Sequence, residues 1–281
     1  MFGDEIAALQ ERPDGVAVEF KLGSERRYDL VVGADGLHSG VRRLAFGPEE
    51  PFEHHLGYAV AAFEVEGYRP RDEDAYMMYC RPGRMVGRFT MRDQRTLFLL
   101  IFADESAALP ATLEQQKAML RERYGGARWE CPEILDRLDR AEALYLDRIS
   151  QIRMPTWSRG RVALVGDAAF CVSLAAGQGS ALAMISAYVL AGELADANGR
   201  HDEAFSKYEA RLRAYVELKQ RGAQRFAAAL APRTALGLWF RNQVMSAFAL
   251  PGLPKFAVGR ELVDALQLPD YSWPRLRELA A

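Results

Sequence analysis

Two short apolar runs constrain this chain more than anything else, because each stops at a glycine and delivers an aspartate. Tyr28-Asp29-Leu30-Val31-Val32-Gly33 leads to Asp35, and Val162-Ala163-Leu164-Val165-Gly166 leads to Asp167. Such runs suit strands covered on both faces, as in a parallel sheet. Ligands of open α/β sheets bind beyond the carboxyl ends of their strands. A carboxylate there can accept hydrogen bonds from ribose-type hydroxyls, and an adjacent glycine lets backbone come close to a ligand. The expectation is one α/β domain whose strand ends carry both aspartates.

The stretch between the runs has a different texture. Tyr58 to Val65, Ala75 to Cys80, Met85 to Met91 and Thr96 to Phe102 are β-like and separated by short turn clusters. That pattern reads as an antiparallel sheet. Thr112 to Tyr124 and Pro132 to Leu138 read as amphipathic helices. Before the first run, Val16, Val18 and Phe20 alternate with Ala17, Glu19 and Lys21, the period of a half-buried strand. After the second run come a loop, a helix from about Ser180 to Ala197, and apolar residues at helical spacing from His201 to Phe226. Pro232 breaks the pattern, and Leu236 to Leu250 reads as one more helix ended by Pro251-Gly252. The sequence contains no internal repeat.

Each aspartate heads a small constellation. The first is Asp35-Gly36 with Ser39 and Arg42, the arginine being able to pair with a phosphate or with Asp35. The plain alternative is an Asp-Gly turn after a strand. The second is Gly166-Asp167-Ala168, followed by Gly177-Gln178-Gly179 at the start of a helix. A helix N-terminus presents unpaired N–H groups and partial positive charge, which suit an electron-rich ligand edge. The alternative is a loop that merely tolerates glycine.

Composition narrows the function classes. Net charge is −2. With a pI near 6.2, the basic surface of a nucleic-acid binder is not expected. Cys80, Cys131 and Cys171 are far apart, odd in number and fit no metal spacing, which points to a reducing, cytoplasmic setting and no metal site. Ala168 to Gly192 carries no charge, but Gly177-Gln178-Gly179 interrupts it, so it reads as loop plus buried helix rather than a membrane span.

The two constellations, in this order, resemble the two downstream FAD fingerprints of the class A flavoprotein monooxygenases, the para-hydroxybenzoate hydroxylase-like family. The resemblance covers nearly the whole chain. It implies FAD as cofactor, NAD(P)H as reductant, and dioxygen and a small molecule as reactants. It places Asp35, Gly36 and Arg42 near FAD and the nicotinamide path, Gly166, Asp167 and Ala168 on the ribityl chain, and Gly177, Gln178 and Gly179 at the pyrimidine edge. It implies an incomplete FAD-binding Rossmann-like domain (1–50 and 146–199) interrupted by a substrate-binding antiparallel sheet with helices (51–145), and a C-terminal helical segment (200–281). The tail looks like that of the tetracycline-inactivating and polyketide hydroxylase branches, which implies an aromatic or polyketide-like substrate.

The chain departs from the family at Phe170, Leu174, Ala181 and Ser186, where His, Pro, Asn and an acidic residue are frequent. It also lacks the strand–GxGxxG–helix unit that holds the ADP half of FAD. Met1 therefore reads as an internal methionine of a longer protein or as the start of one half of a split enzyme, with a separate chain supplying the missing unit. A non-catalytic fragment and another oxidoreductase on the same scaffold are the alternatives. Tyr58, Met77, Tyr79, Phe89 and Phe102 are candidate pocket walls. No residue stands out as catalytic acid or base; His38, His54, His55 and His201 are uncommitted.

Overall fold

The computed structural model describes residues 2–69, 72, 75–106, 108–174, 177–248 and 266–271. Its contacts divide the chain into two units: Met1–His54 with Ser150–Ala223 and the C-terminal residues from Gly259, and His55–Ile149 with Gln224–Val258. The segment expected to begin at 200 as one piece is thus shared between them.

In the first unit, β1 (Ile6–Arg12), β2 (Gly15–Phe20) and β3 (Glu25–Tyr28) form an antiparallel sheet in that order. The apolar run before Asp35 is divided. Tyr28 closes β3, and only Val31–Gly33 forms β4, which belongs to a second sheet. That sheet has the order β10 (Ser158–Arg159), β11 (Val162–Leu164), β4. β4 and β11 are parallel, with Val31, Val32 and Gly33 opposite Val162, Ala163 and Leu164. The expected juxtaposition of the two strand ends is present. Helix α1 (Gly40–Phe46) follows β4. The short α4 (Asp167–Phe170), the long α5 (Gly179–Asp196) and α6 (His201–Leu230) follow β11. The core packs Trp157, Leu164, Phe170, Leu182, Val189, Leu190, Phe205 and Tyr208 together.

The second unit is built on a five-stranded sheet with the order β6 (Met77–Arg81), β7 (Arg84–Thr90), β8 (Arg95–Ala103), β5 (Glu53–Glu66), β9 (Tyr145–Ile152). All of its hairpin pairings are antiparallel, as the closely spaced runs imply. β9 has no counterpart in the sequence reading, since its alternation is diluted by Asp147, Arg148 and Gln151. Helices α2 (Leu113–Tyr124) and α3 (Cys131–Arg140) cover one face. Thr112 caps α2 by accepting the Gln115 N–H, and proline near the first turn of α3 fits its free N-terminal N–H groups. Helix α7 (Ala235–Phe248) ends the described helices, and the expected stop at Pro251-Gly252 lies outside the described residues.

Sheet parity corrects the expected pocket. Side chains alternate between faces, and Ala59, Ala61, Phe63, Val86, Phe98, Leu100, Phe102 and Tyr79 pack with α2 and α3. Met77 shares the parity of Tyr79. Tyr58 and Phe89 have the opposite parity: Phe89 stacks on Tyr76 with ring centroids 4.1 Å apart, and Arg233 lies over the Tyr58 ring. The five candidate walls therefore divide between two faces and cannot line one cavity. Phe102 is core, in edge contact with Tyr124.

Candidate functional site

The parallel pair β4–β11 sets the geometry. Gly33 accepts the Val165 N–H at 2.9 Å, so the chain leaves both strands side by side. On the β4 side, Asp35 first orders its own turn. Its Oδ1 accepts the Ser39 hydroxyl at 2.5 Å and its Oδ2 the Val41 N–H at 3.0 Å. Ser39 in turn caps α1 by accepting the Arg42 N–H at 2.9 Å. Gly36 has φ +81° with open space where a Cβ would stand.

Arg42 behaves differently from the anion-facing group expected of it. Its side chain is completely buried. It donates to the Leu37 carbonyl at 2.6 Å and to the Ala168 carbonyl at 2.9 Å, and it pairs with Glu49. The guanidinium thus ties the Asp35 turn to α4 rather than presenting donors at the surface. Burial lowers its pKa, and Glu49 opposes that shift.

On the β11 side, Gly166 takes φ 57° and ψ −139°, a conformation that L side chains avoid. A Cβ on it would lie 2.9 Å from Ala183 of α5. Its N–H donates to Ser186 Oγ at 3.0 Å. This turn launches α4 and places Asp167 at its first position, half-buried. Burial pushes the Asp167 carboxyl above the ordinary carboxylate range, against a hydrogen bond from the Cys171 thiol. Burial, with the Asp167 charge beside it, pushes that thiol up to about 12.

The same carboxylate faces the start of α5. A Cβ on Gly179 would stand 3.6 Å from Asp167 Oδ1. Gln178 is the N-cap residue, and no side chain caps the helix. Gly177, with φ +63°, has nothing within 4 Å of its Cβ position. A half-buried acceptor therefore sits next to bare, uncapped backbone donors. That pairing fits FAD, which offers ribityl hydroxyls to an acceptor and ring oxygens and nitrogens to donors.

The structure thus brings together Gly166, Asp167, Ala168, Gly179 and, through Arg42 and the strand pairing, the Asp35 turn. Ser186, marked in the sequence only as a departure from the family pattern, and Tyr208, marked only by the apolar spacing from His201 to Phe226, are additional. His38 pairs with Glu49, and His55 Nε2 donates to the Asp104 carbonyl at 2.8 Å. An open groove of about 780 Å³ lies elsewhere, in the second unit, between Glu64, Glu66, Arg95 and Arg137. Its walls are ion-paired, Arg95 to Glu64 among them, and no nucleophile converges on it. Among the described residues no His, Cys, Asp and Glu group could hold a metal ion, and no helix is long and apolar enough to cross a membrane.

Comparison with known proteins shows the family of the chain. The model of the family described as FAD binding domain matches residues 1–221. A protein of Mycobacterium tuberculosis (strain ATCC 25618 / H37Rv), itself uncharacterised, is 40% identical over 222 residues, covering 78% of this chain and 59% of that protein. A flavin-dependent monooxygenase of Legionella longbeachae is 34% identical, covering 78% of this chain and 57% of its own. The chain therefore spans a little under three-fifths of these two relatives. Among solved structures, tetracycline destructase Tet(55) superposes with a TM-score of 0.78 at 31% identity, over 95% of this chain and 69% of that one. A Klebsiella pneumoniae HpxO variant complexed with FAD shares the fold, with a TM-score of 0.70 at 24% identity over 87% of this chain and 64% of that one. The chain belongs to the FAD binding domain family of flavin-dependent monooxygenases, whose cofactor is FAD.

Proposed function

We propose that this chain carries the flavin-facing and substrate-facing parts of an FAD-dependent monooxygenase that hydroxylates an aromatic or polyketide-like small molecule with NAD(P)H and dioxygen. The observation that carries the reading is the Asp167 carboxylate set against the uncapped glycine start of α5. When bound, FAD supplies the redox chemistry linking nicotinamide, dioxygen and substrate.

The residues of the chain supply position and field. Asp167 accepts hydrogen bonds from ribityl hydroxyls. The backbone N–H groups from Gly177 to Gly179 favour negative charge at the pyrimidine edge, because a helix start carries partial positive charge. The Asp35-Gly36 turn, pinned by Ser39, Val41 and Arg42, forms the second wall of the cofactor site. Substrate lies against the sheet face that bears Phe89, Leu97 and Leu99, opposite the face that α2 and α3 cover. A tetracyclic or related polyketide substrate is supported by the likeness to tetracycline destructases.

The ADP half of FAD needs a strand–GxGxxG–helix unit that these residues do not contain. β4 offers the docking edge for it. Parallel pairing with β11 uses the groups of Val31 and Gly33, so the Val32 N–H and C=O face the other way. The Val32 side chain is 43% exposed on a strand type that is ordinarily covered. A longer polypeptide or a partner chain bearing that unit completes the cofactor site in this reading.

The test is FAD titration of the purified chain, followed by NAD(P)H oxidation with and without aromatic and tetracyclic compounds in a protein that includes the GxGxxG unit. Flavin uptake and substrate-stimulated oxidation, with one oxygen atom gained by the product, are expected. Flavin uptake with no substrate stimulation in any of these classes overturns the hydroxylase reading.

A further inference from the structure

We infer that Ser186 of α5, held by Tyr208 of α6, is the positioning residue that fixes the Gly166 turn and through it Asp167. The inference rests on the proposed cofactor role of Asp167 for its functional meaning, but not for its geometry.

The arrangement is a closed set of buried bonds. Ser186 Oγ accepts the Gly166 N–H at 3.0 Å and donates to the Ala183 carbonyl at 2.8 Å. The Tyr208 hydroxyl donates to the Leu164 carbonyl at 3.0 Å and lies within reach of Ser186, whose hydroxyl proton can turn to the Tyr208 oxygen in place of the Ala183 carbonyl. Ser186 and Tyr208 are both fully buried. So the last residue of β11, Leu164, and the glycine two residues after it are each gripped by a side chain, and the two side chains lie within reach of each other.

Sequence and sterics explain why that grip is needed. Gly166 has left the β11 ladder, and its N–H points into α5 rather than to a strand. An unpartnered N–H there would be a buried, unsatisfied donor. The backbone of Gly166 is in a sparsely populated conformation that persists only when its surroundings over-determine it. Ala183 closes one side of the turn by contact, and Ser186, one helical turn further, closes the other by a hydrogen bond. Asp167 is the next residue, so any relaxation of Gly166 moves the carboxylate relative to the start of α5. Where the resembling family often has an acidic side chain, this chain uses a neutral hydroxyl and recruits a tyrosine from α6 to lock it.

The experiment compares wild type with Ser186→Ala and Tyr208→Phe in the full chain. Tyr208→Phe keeps the buried ring, so it tests the lock even if Ser186→Ala folds poorly. Two readouts need no flavin: hydrogen exchange of the Gly166 amide, and NMR titration of the Asp167 carboxyl. We expect Gly166 exchange to rise about tenfold or more in Ser186→Ala, as for an amide that loses its one buried partner, while amides in the middle of α5 stay within about twofold. The Asp167 titration should move down toward the ordinary carboxylate range as water reaches the loosened turn. Tyr208→Phe should shift both readouts in the same directions by less. A third readout, FAD affinity, should weaken in parallel. Unchanged Gly166 exchange and an unchanged Asp167 titration in both variants overturn the positioning role, even if wild type binds FAD. If wild type takes up no FAD while the two flavin-free readouts move as stated, the cofactor reading fails and the positioning role stands.

Discussion

Replacing Gly166 with alanine tests the geometry of the Asp167 turn directly. The φ of 57° and ψ of −139° lie where a residue with a Cβ costs about 1–3 kcal/mol. The added Cβ would also stand 2.9 Å from Ala183 Cβ, well inside the ~3.5–4.0 Å optimum for carbon contacts. Ala183 is on the rigid wall of α5, so relief requires backbone movement, and overpacking of that kind costs about 1–3 kcal/mol. Stiffening of the unfolded chain returns only about 0.4–1 kcal/mol. A net loss of about 1–5.5 kcal/mol follows, centred at roughly 3 kcal/mol. Gly177→Ala is the matched control, because φ is +63° but nothing lies within 4 Å of its Cβ position. It should lose about 1–2 kcal/mol of stability and show its main effect in FAD affinity. Urea unfolding followed by tryptophan fluorescence reads both, since Trp157 packs 4.5 Å from Phe170 of α4. A Gly166→Ala variant within about 1 kcal/mol of wild type, or equal losses in the two variants, refutes this account of the turn.

Other consequences are equally checkable. Arg42→Ala should cost about 3 kcal/mol or more by denaturant midpoint, because it strands the Ala168 and Leu37 carbonyls and the Glu49 carboxylate. A loss confined to FAD affinity would instead show Arg42 to be an anion-binding group. Asp167 has its carboxyl raised by burial, so its ionised form opposes folding. The folded state holds that proton at pH values where the unfolded chain has released it, so stability falls as pH rises through that window. Asp167→Asn should therefore stabilise the flavin-free protein at neutral pH, and the gain should vanish below the ordinary carboxylate range in paired thermal melts. Phe102→Ala should cost about 3–5 kcal/mol as a core truncation, whereas Phe89→Ala, on the half-buried opposite face, should cost less and act on substrate KM.

Much of the site was legible because its chemistry is local. A strand end, an aspartate and a glycine are adjacent in sequence, and both constellations sit where the apolar runs placed them. The run from Tyr28 to Gly33 misled only in its unity. Asp29 and Leu30 form a corner between two sheets, and nothing in the apolar pattern marks a change of sheet. The pocket aromatics failed for a different reason. Parity along β7 would send Arg88 to solvent, yet its side chain is buried on the helix-covered face, ion-paired to Glu130 and set over Trp129. A buried arginine inverts the apparent inside and outside of its strand, and the register to β8 that resolves the ambiguity is not written in β7. Arg42 follows the same rule. Its sequence neighbours suggest a ligand group, while its partner Ala168 is brought near only by the fold.

The central feature is that two strands of three residues each unite parts of the chain separated by the whole inserted sheet. A single pairing step fixes their relation. With Gly33 opposite Leu164, Asp35 follows two residues and Asp167 three residues after the last paired positions. A slip of one residue would turn every side chain of β4 to the other face and remove Val31 from the core it shares with Val162 and Leu164. Such short strands cannot hold that register by ladder bonds alone. The cross-links beyond the strand ends supply what is missing: Arg42 to Ala168 across the two turns, Tyr208 to the Leu164 carbonyl, and Ser186 to the Gly166 N–H. The residues that register the sheet are therefore the residues that shape the two aspartate-bearing turns. Stability of the strand pair and geometry of the candidate site rise and fall together.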